Sequence, residues 1–437
     1  NAIFIDVGAA TNGTGTQASP YNNWYSARDA VQLTDRYIYI KGKMIPDGTD
    51  STTMSDPIKC LILKSPFGGR TSEAQRLTIR NWPSFVGGID GGGQTDVAGF
   101  AIDALASFTN TVKYITFRRL EATNLDSSTA GLANGKTYFL RTRGDSVETV
   151  ANITTERITV NGAISGTTAA VAMWFVEGGE NLKVWRWTVQ NLTYATRSDF
   201  VFMFECYRGQ NISIQRCTCE SNSGGIYQKS GVANQDTVGI SARFNLFKGA
   251  SIRLATLTGR WIQSYHIVQN NIFSTTDQRI DYPPVAFDMA NFNTVSVGQH
   301  ISNNVFYDYN YSALGDITVY DTNFEKFISY NNIHQKSRCP FRLQTGSLAA
   351  EIIDYNHYEF TSVTDPDFRY QSNSAISLAA FQANTGFASN ATIGDPLFTN
   401  EAAGDFTLAS GSPALTSGVS GTPKGAHLAA FITVGAN

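Results

Sequence analysis

Short stretches of alternating apolar and polar residues run along the chain, among them Ile252-Arg253-Leu254 and Ile317-Thr318-Val319. Alternation with period 2 sends one side chain into a core and the next outward, the pattern of a half-buried β-strand and not of a helix. These stretches belong to a repeat. Its clearest copies are Ala242-Arg243-Phe244-Asn245-Leu246-Phe247, Val268-Gln269-Asn270-Asn271-Ile272-Phe273 and Ile301-Ser302-Asn303-Asn304-Val305-Phe306. Ser329-Tyr330-Asn331-Asn332-Ile333-His334 and Asp354-Tyr355-Asn356-His357-Tyr358 continue it. The last residues of these copies are separated by 26, 33, 28 and 24 positions. Weaker copies lie upstream at Gln215-Arg216-Cys217-Thr218-Cys219, Trp185-Arg186-Trp187-Thr188-Val189 and Phe117-Arg118-Arg119-Leu120-Glu121-Ala122.

A unit of this length with three short strands cannot bury its own inner face, whereas stacking on its neighbours buries a continuous core. The expected fold is therefore all-β: a right-handed single-stranded parallel β-helix, a three-sheet solenoid, with a short N-terminal capping helix. Variable spacing places loops of variable length at one corner, where function concentrates. The asparagine before each Val/Ile/Leu-Phe pair suits a sharp corner, because Asn tolerates the left-handed conformation, and stacked amides can bond in a ladder. Residues 1–50 read as an entry strand and capping helix, 51–390 as the coils and 391–437 as a closing segment of the same domain.

Composition narrows the function classes. With 42% hydrophobic and 16% charged residues the chain can bury a long core, and a net charge of −3 gives no bulk attraction to nucleic acid. No apolar run approaches the ~20 residues of a membrane span, so no membrane insertion is expected. The chain starts at Asn1, so a signal peptide or anchoring domain upstream is left open. The five cysteines, Cys60, Cys206, Cys217, Cys219 and Cys339, have neither disulfide-framework nor zinc spacing and read as buried thiols. His266, His300, His334, His357 and His427 show no metal spacing, and His334 and His357 fall at or beside the repeat's Phe position, which suggests packing. No metal or cofactor is expected. Sequons such as Asn152-Ile153-Thr154 are at chance level in a chain this rich in Asn, Ser and Thr.

Both ends carry a resemblance. Phe4-Ile5-Asp6-Val7-Gly8, the loop Gly13-Thr14-Gly15-Thr16 and the helical stretch from Trp24 to Val31 resemble the entry of secreted and virion β-helix proteins. Gly394-Asp395-Pro396-Leu397-Phe398, Asp405-Phe406-Thr407-Leu408 and Gly411-Ser412-Pro413-Ala414 resemble their closing segment. The chain thus resembles the pectate lyase-like superfamily, which implies a polysaccharide partner along the outer face of one sheet. It also implies a secreted protein or a phage tailspike, the latter a homotrimer.

Aligning the strands after each corner gives Phe202-Met203-Phe204-Glu205, Ile226-Tyr227-Gln228-Lys229, Ile252-Arg253-Leu254-Ala255, Val285-Ala286-Phe287-Asp288, Ile317-Thr318-Val319-Tyr320 and Phe341-Arg342-Leu343-Gln344. Second and fourth residues are expected outside, placing Glu205, Tyr227, Lys229, Arg253, Asp288, Tyr320 and Arg342 on one face. Trp174, from Val171-Ala172-Met173-Trp174, extends it. Aromatic rings pack on pyranose faces and cations pair with uronic carboxylates. The alternative is a charge ladder that keeps an exposed sheet soluble.

Two reactions fit such a face. In elimination, Lys229 would remove the proton α to a uronic carboxylate and Arg253 would stabilise the charge. Gln228-Lys229-Ser230 and Ser251-Ile252-Arg253 resemble the chondroitinase B and alginate lyase family, which sets a Lys and an Arg on successive coils. That family's acidic calcium ligands are replaced here by Gly225, Ile226 and Tyr227. In hydrolysis two carboxyl groups are needed, and Asp288, Asp321 and Asp236 are the candidates beside Glu205. A non-catalytic adhesin or virion structural β-helix is the alternative to both.

Overall fold

A computed structural model describes residues 1–46, 59–63, 67, 69–92, 97–103, 111–126, 137–144, 150–165, 171–194, 201–221, 224–230, 238–256, 266–274, 283–289, 298–309, 315–319, 327–343, 352–360, 367–371 and 374–426. The protein is all-β, with two short α-helices among these residues, Trp24–Ala30 and Leu378–Thr385. No helix among them is long and apolar enough to cross a membrane. The chain forms two compact units, residues 1–213 and 214–437.

In the second unit the described strands fall into three interleaved parallel ladders. The first joins Thr218–Ser221, Leu246–Lys248, Ile272–Ser274, Val305–Tyr307, Ile333–Gln335, His357–Glu359 and Thr392–Ile393. The second joins Gly224–Ser230, Ser251–Thr256, Val285–Met289, Ile317–Val319, Phe341–Leu343 and Phe368–Tyr370. The third joins Val238–Arg243, His266–Gln269, Gln299–Ser302, Phe327–Tyr330 and Ile352–Asp354. The residues expected to stack do so: Ile226, Ile252, Val285, Ile317 and Phe341 are successive partners.

The corner between the third and first ladders shows how the repeat works. Asn245, Asn271, Asn304, Asn332 and Asn356 are wholly buried. Each of the first four directs its backbone N–H and its side-chain amide to Oδ1 of the next, at 2.9–3.1 Å. Each Nδ2 also reaches a carbonyl of the ladder beneath, as Asn304 does to Val268 O at 2.9 Å. The amide ladder thus satisfies backbone groups that a tight corner would otherwise bury without partners. The left-handed residue is not this asparagine but the one before it: Phe244, Asn270, Asn303, Asn331 and Tyr355 all have φ of 53–58°. Two positions share the work, one bending the chain and the next satisfying it.

One residue beyond the aliphatic position that follows each ladder asparagine, a second column fills the core. Phe247, Phe273, Phe306, His334 and Tyr358 stack with centroids 4.8–5.4 Å apart. His334 is therefore a packing residue, as its place in the repeat suggested, and its Nδ1 lies 2.7 Å from Oδ2 of the equally buried Asp316. Cys206, Cys217, Cys219 and Cys339 are buried and form no disulfide among the described residues, as expected of buried thiols, while the side chain of Cys60 lies outside the described residues.

The first unit has the same three-ladder pattern, with Gly87–Asp90, Glu121–Asp126, Thr159–Ser165 and Thr188–Tyr194 in its first ladder. Its corners keep the left-handed residue, at Arg119, Arg157 and Arg186, but follow it with the buried apolar Leu120, Ile158 and Trp187 in place of asparagine. The helix Trp24–Ala30 is capped by the Asn23 side chain, which accepts from Ser26 N. Trp24 packs against Phe67 and Phe100, so this helix lies on the core.

Candidate functional site

The second ladder of the first unit gathers charged and aromatic side chains. Its strands are Val97–Asp103, Thr137–Arg143, Val171–Glu180 and the strand beginning at Val201, with Phe100, Leu140, Trp174 and Phe204 in one register column. Phe100 packs on Phe117 and Trp24, so this column faces the core. Phe139 also turns inward, onto Trp187 and Phe100. Two consecutive inward residues break the alternation and send both Tyr138 and Arg141 to the outer side.

There, Ala101, Arg141, Phe175 and Glu205 form the next column. The Arg141 guanidinium lies 5.6 Å from the ring centroids of both Tyr138 and Phe175, which stack on one another at 5.1 Å. Tyr207 meets Phe175 edge-on at 5.0 Å. Arg141 Nη2 donates to Glu177 Oε2 at 2.8 Å, and Arg143 Nε lies 3.8 Å from the same oxygen. Tyr138, Arg141, Phe175 and Glu205 are at most 5% exposed, although they lie on the ladder's outer side. Burial drives the Tyr138 phenol well above its ordinary pKa, against the pull of Arg141 and with the push of Glu205 and Glu177. The phenol stays neutral and can donate a hydrogen bond, and its oxygen has no partner among the described residues. Opposite charges and neutral donors held together out of water act more strongly on a bound group than they would at the surface.

The sequence-derived face is redistributed by this register. Trp174 pairs with Phe204, one residue from its expected partner Glu205. A one-residue shift turns a strand's side chains to the other face. Trp174 is accordingly buried in the core-facing column, its indole N–H donating to Thr142 Oγ1 at 3.3 Å, and not on the outer face. Glu205 is on the outer side but buried, not solvent-exposed. In the second unit Tyr227, Arg253 and Arg342 are partly exposed, as alternation requires. The register runs Tyr227, Arg253, Ala286, Thr318, Arg342, Arg369. Arg253 stacks on Tyr227 with 5.4 Å to the ring centroid, and Arg369 lies 3.7 Å from the Asp367 carboxylate. Thr318 is buried, its hydroxyl donating to Gly315 O. Lys229 and Asp288 lie in strands opposite Ala255, but their side chains are outside the described residues, as are Asp236, Tyr320 and Asp321 entirely.

Tyr138, Arg141, Phe175, Glu177 and Tyr207 were not among the sequence-derived candidates. The signal available was the paired apolar residues at the centre of Thr137–Arg143 and Val171–Glu180, where strict alternation fails. Among the described residues no three His, Cys, Asp or Glu side chains converge as a metal site.

No protein-family model and no curated protein matches the chain. Among solved structures, a rhamnogalacturonan lyase is similar over 91% of this chain and 90% of its own, with TM-score 0.47 and 10% identity. PfbA, a surface adhesin of Streptococcus pneumoniae, is similar over 81% of this chain and 84% of its own, with TM-score 0.32 and 11% identity. At these scores neither likeness bears on what the chain does.

Proposed function

We propose that the protein is a right-handed, single-stranded parallel β-helix, secreted or carried on a virion, that binds a polysaccharide along the outer side of its second ladder and cleaves it. The ladders support the fold, since each strand pairs with the strand one repeat later on every face. The observation that carries the function is the buried cluster of Tyr138, Arg141, Phe175 and Glu177 with Glu205 in register. The partly exposed rim of the cluster, Arg143, Glu177 and Tyr207, is where a sugar reaches it, the Tyr207 ring meeting a C–H face and the charged groups meeting hydroxyls and carboxylates. In an elimination, Glu205 takes the proton α to a uronic carboxylate, Arg141 stabilises the developing negative charge, and the neutral Tyr138 phenol gives its proton to the glycosidic oxygen as the C–O bond to it breaks and the C=C bond forms. In an endoglycosidase, Glu177 and Glu205 form the carboxyl pair. Lys229 and Arg253 remain the corresponding base and cation for the second unit, with Asp236, Asp288 and Asp321 as its carboxylates and Tyr320 as a further sugar platform.

A second reading is binding without cleavage, as in an adhesin or a virion structural protein. The partly exposed Tyr227, Arg253 and Arg342 favour it for the second unit, because that part of the column is aromatic and basic. Arg253 and Arg342 are three coils apart, about 14 Å at a strand spacing of ~4.8 Å, so they would engage separate acidic groups of one chain.

The test is incubation with acidic and neutral bacterial, algal and plant polysaccharides, following absorbance at about 235 nm and reducing ends together, with Glu205→Gln beside the wild type. Ultraviolet-absorbing products lost in Glu205→Gln establish elimination at this cluster, and reducing ends alone establish hydrolysis. Cleavage that survives Glu205→Gln would remove the cluster from the reaction, and binding without either product would select the second reading.

A further inference from the structure

The first ladder of the second unit carries a second polar column. Lys248, Ser274, Tyr307, Gln335 and Glu359 are successive register partners, two positions beyond the aliphatic column Leu246, Ile272, Val305 and Ile333. Both columns face away from the stacked aromatics of the core. The C-terminal segment covers the aliphatic column, with Phe406 and Ala414 buried against Ile272, Val305 and Ile333. Where its turn Glu401–Ala403 passes over the polar column, a cavity of about 340 Å³ is left, lined by Leu246, Lys248, Ser274, Tyr307, Glu401 and Phe406.

Its polar wall is held in place from behind. Gln335 Nε2 donates to Glu401 Oε2 at 2.7 Å, and Lys336 Nζ donates to Glu401 Oε1 and, at 3.2 Å, to the Tyr307 hydroxyl. Gln335 is 2% exposed, and its Oε1 has no hydrogen-bond partner among the described residues. The Glu359 Oε2 atom, in the next register position, is likewise buried without one. Burial also raises the Glu359 pKa, against its hydrogen bond from Gln335. The apolar wall is Leu246 with the rings of Tyr307 and Phe406, 5.0 Å apart and tilted by 59°.

We propose that this cavity binds one pyranose unit of a glycan, at a site separate from the second ladder. This rests on the reading that the protein handles polysaccharide. A volume at the small end of the ~300–1,000 Å³ typical of ligand pockets suits one ring and not a chain. The partly exposed Tyr307 ring, backed by the buried Phe406, takes its C–H face, while Glu401 and Ser274 take its hydroxyls. The ion pair with Lys336 fixes the Glu401 carboxylate, so little ordering cost falls on binding.

The experiment is a titration of the full chain with methyl glycosides of glucose, galactose, mannose and glucuronic acid, read by saturation-transfer NMR and calorimetry. It is repeated on Tyr307→Ala, Glu401→Gln and Ala402→Trp. Ala402 is exposed at the cavity wall, so the tryptophan fills the mouth without disturbing the core, and far-UV circular dichroism checks each fold. At least one glycoside is expected to bind in the millimolar range, weakened about tenfold or more in all three variants. Failure of all four to bind, or binding unchanged in Ala402→Trp, overturns the proposal. Polysaccharide binding that is lost in Arg141→Ala but accompanied by no glycoside binding would sink this site and leave the function standing. Glycoside binding at the cavity without any polysaccharide recognition would do the reverse.

Discussion

Asn271 sends two hydrogen bonds to one atom of Asn304: its backbone N–H at 2.9 Å and its side-chain amide at 3.1 Å both end on Oδ1. Neither residue touches water. The pair is one rung of a ladder that runs from Asn245 to Asn356, and each rung is both donor to the next coil and acceptor from the last.

Asn304→Ala should therefore be costly. It strands two buried donors of Asn271, at roughly 1–3 kcal/mol each, and removes the amide that serves Val268 O. The expected loss is about 4 kcal/mol in urea unfolding. A change below about 1 kcal/mol would mean that the ladder is a geometric accompaniment of the corner and not its support.

His334 sits in a column of Phe and Tyr rings, 4.8 Å from Phe306, so His334→Phe matches its neighbours in shape. The substitution should nonetheless destabilise by about 2–4 kcal/mol, because the buried Asp316 carboxyl loses its partner. Adding Asp316→Leu should recover part of that loss. A double-mutant cycle measures the coupling, and additive costs would show the contact to be energetically idle.

Acid should unfold the protein partly through histidine. Burial lowers the His266 pKa from 6.5 to about 3, and Ile240 N donates to its Nδ1. His357 is lowered to about 4, chiefly by burial. Below pH 6.5 the unfolded chain binds protons that the folded state refuses, so stability is full above 6.5 and falls as pH drops toward 3–4. One such group contributes a slope of about 1.4 kcal/mol per pH unit. His266→Asn, which keeps an acceptor for Ile240 N, should flatten the profile by that amount between pH 6 and 4. An unchanged slope in denaturant midpoints would contradict the assignment.

Arg141→Lys tests whether the outer cluster needs a guanidinium or only a positive charge. Lysine keeps the charge but loses the planar contact with Tyr138 and Phe175 and the fixed fork toward Glu177. Turnover or binding of the polysaccharide should fall about 10- to 100-fold while the unfolding midpoint shifts little. Equal losses in both would assign the arginine to the fold alone.

The repeat, the parallel stacking and the asparagine ladder were legible in the sequence, although the left-handed residue proved to be the one before each ladder asparagine. Each is a local pattern that recurs in phase, and stacking a coil on its own likeness fixes the register of all of them together. From Ile226 to Phe341 this was enough to place every strand partner. It failed at Trp174, because Phe139 and Leu140 turn two consecutive side chains inward; the paired apolar residues flag broken alternation but not which way the register shifts. The cluster of Tyr138, Arg141, Phe175, Glu177 and Glu205 follows from that shift. The cavity at Glu401 depends on where a closing segment some 65 residues beyond Lys336 comes to rest. Sequence determined what repeats, because identical neighbours make identical demands. The sites depend on where the repeat is broken, and there only the folded backbone decides which side chains meet.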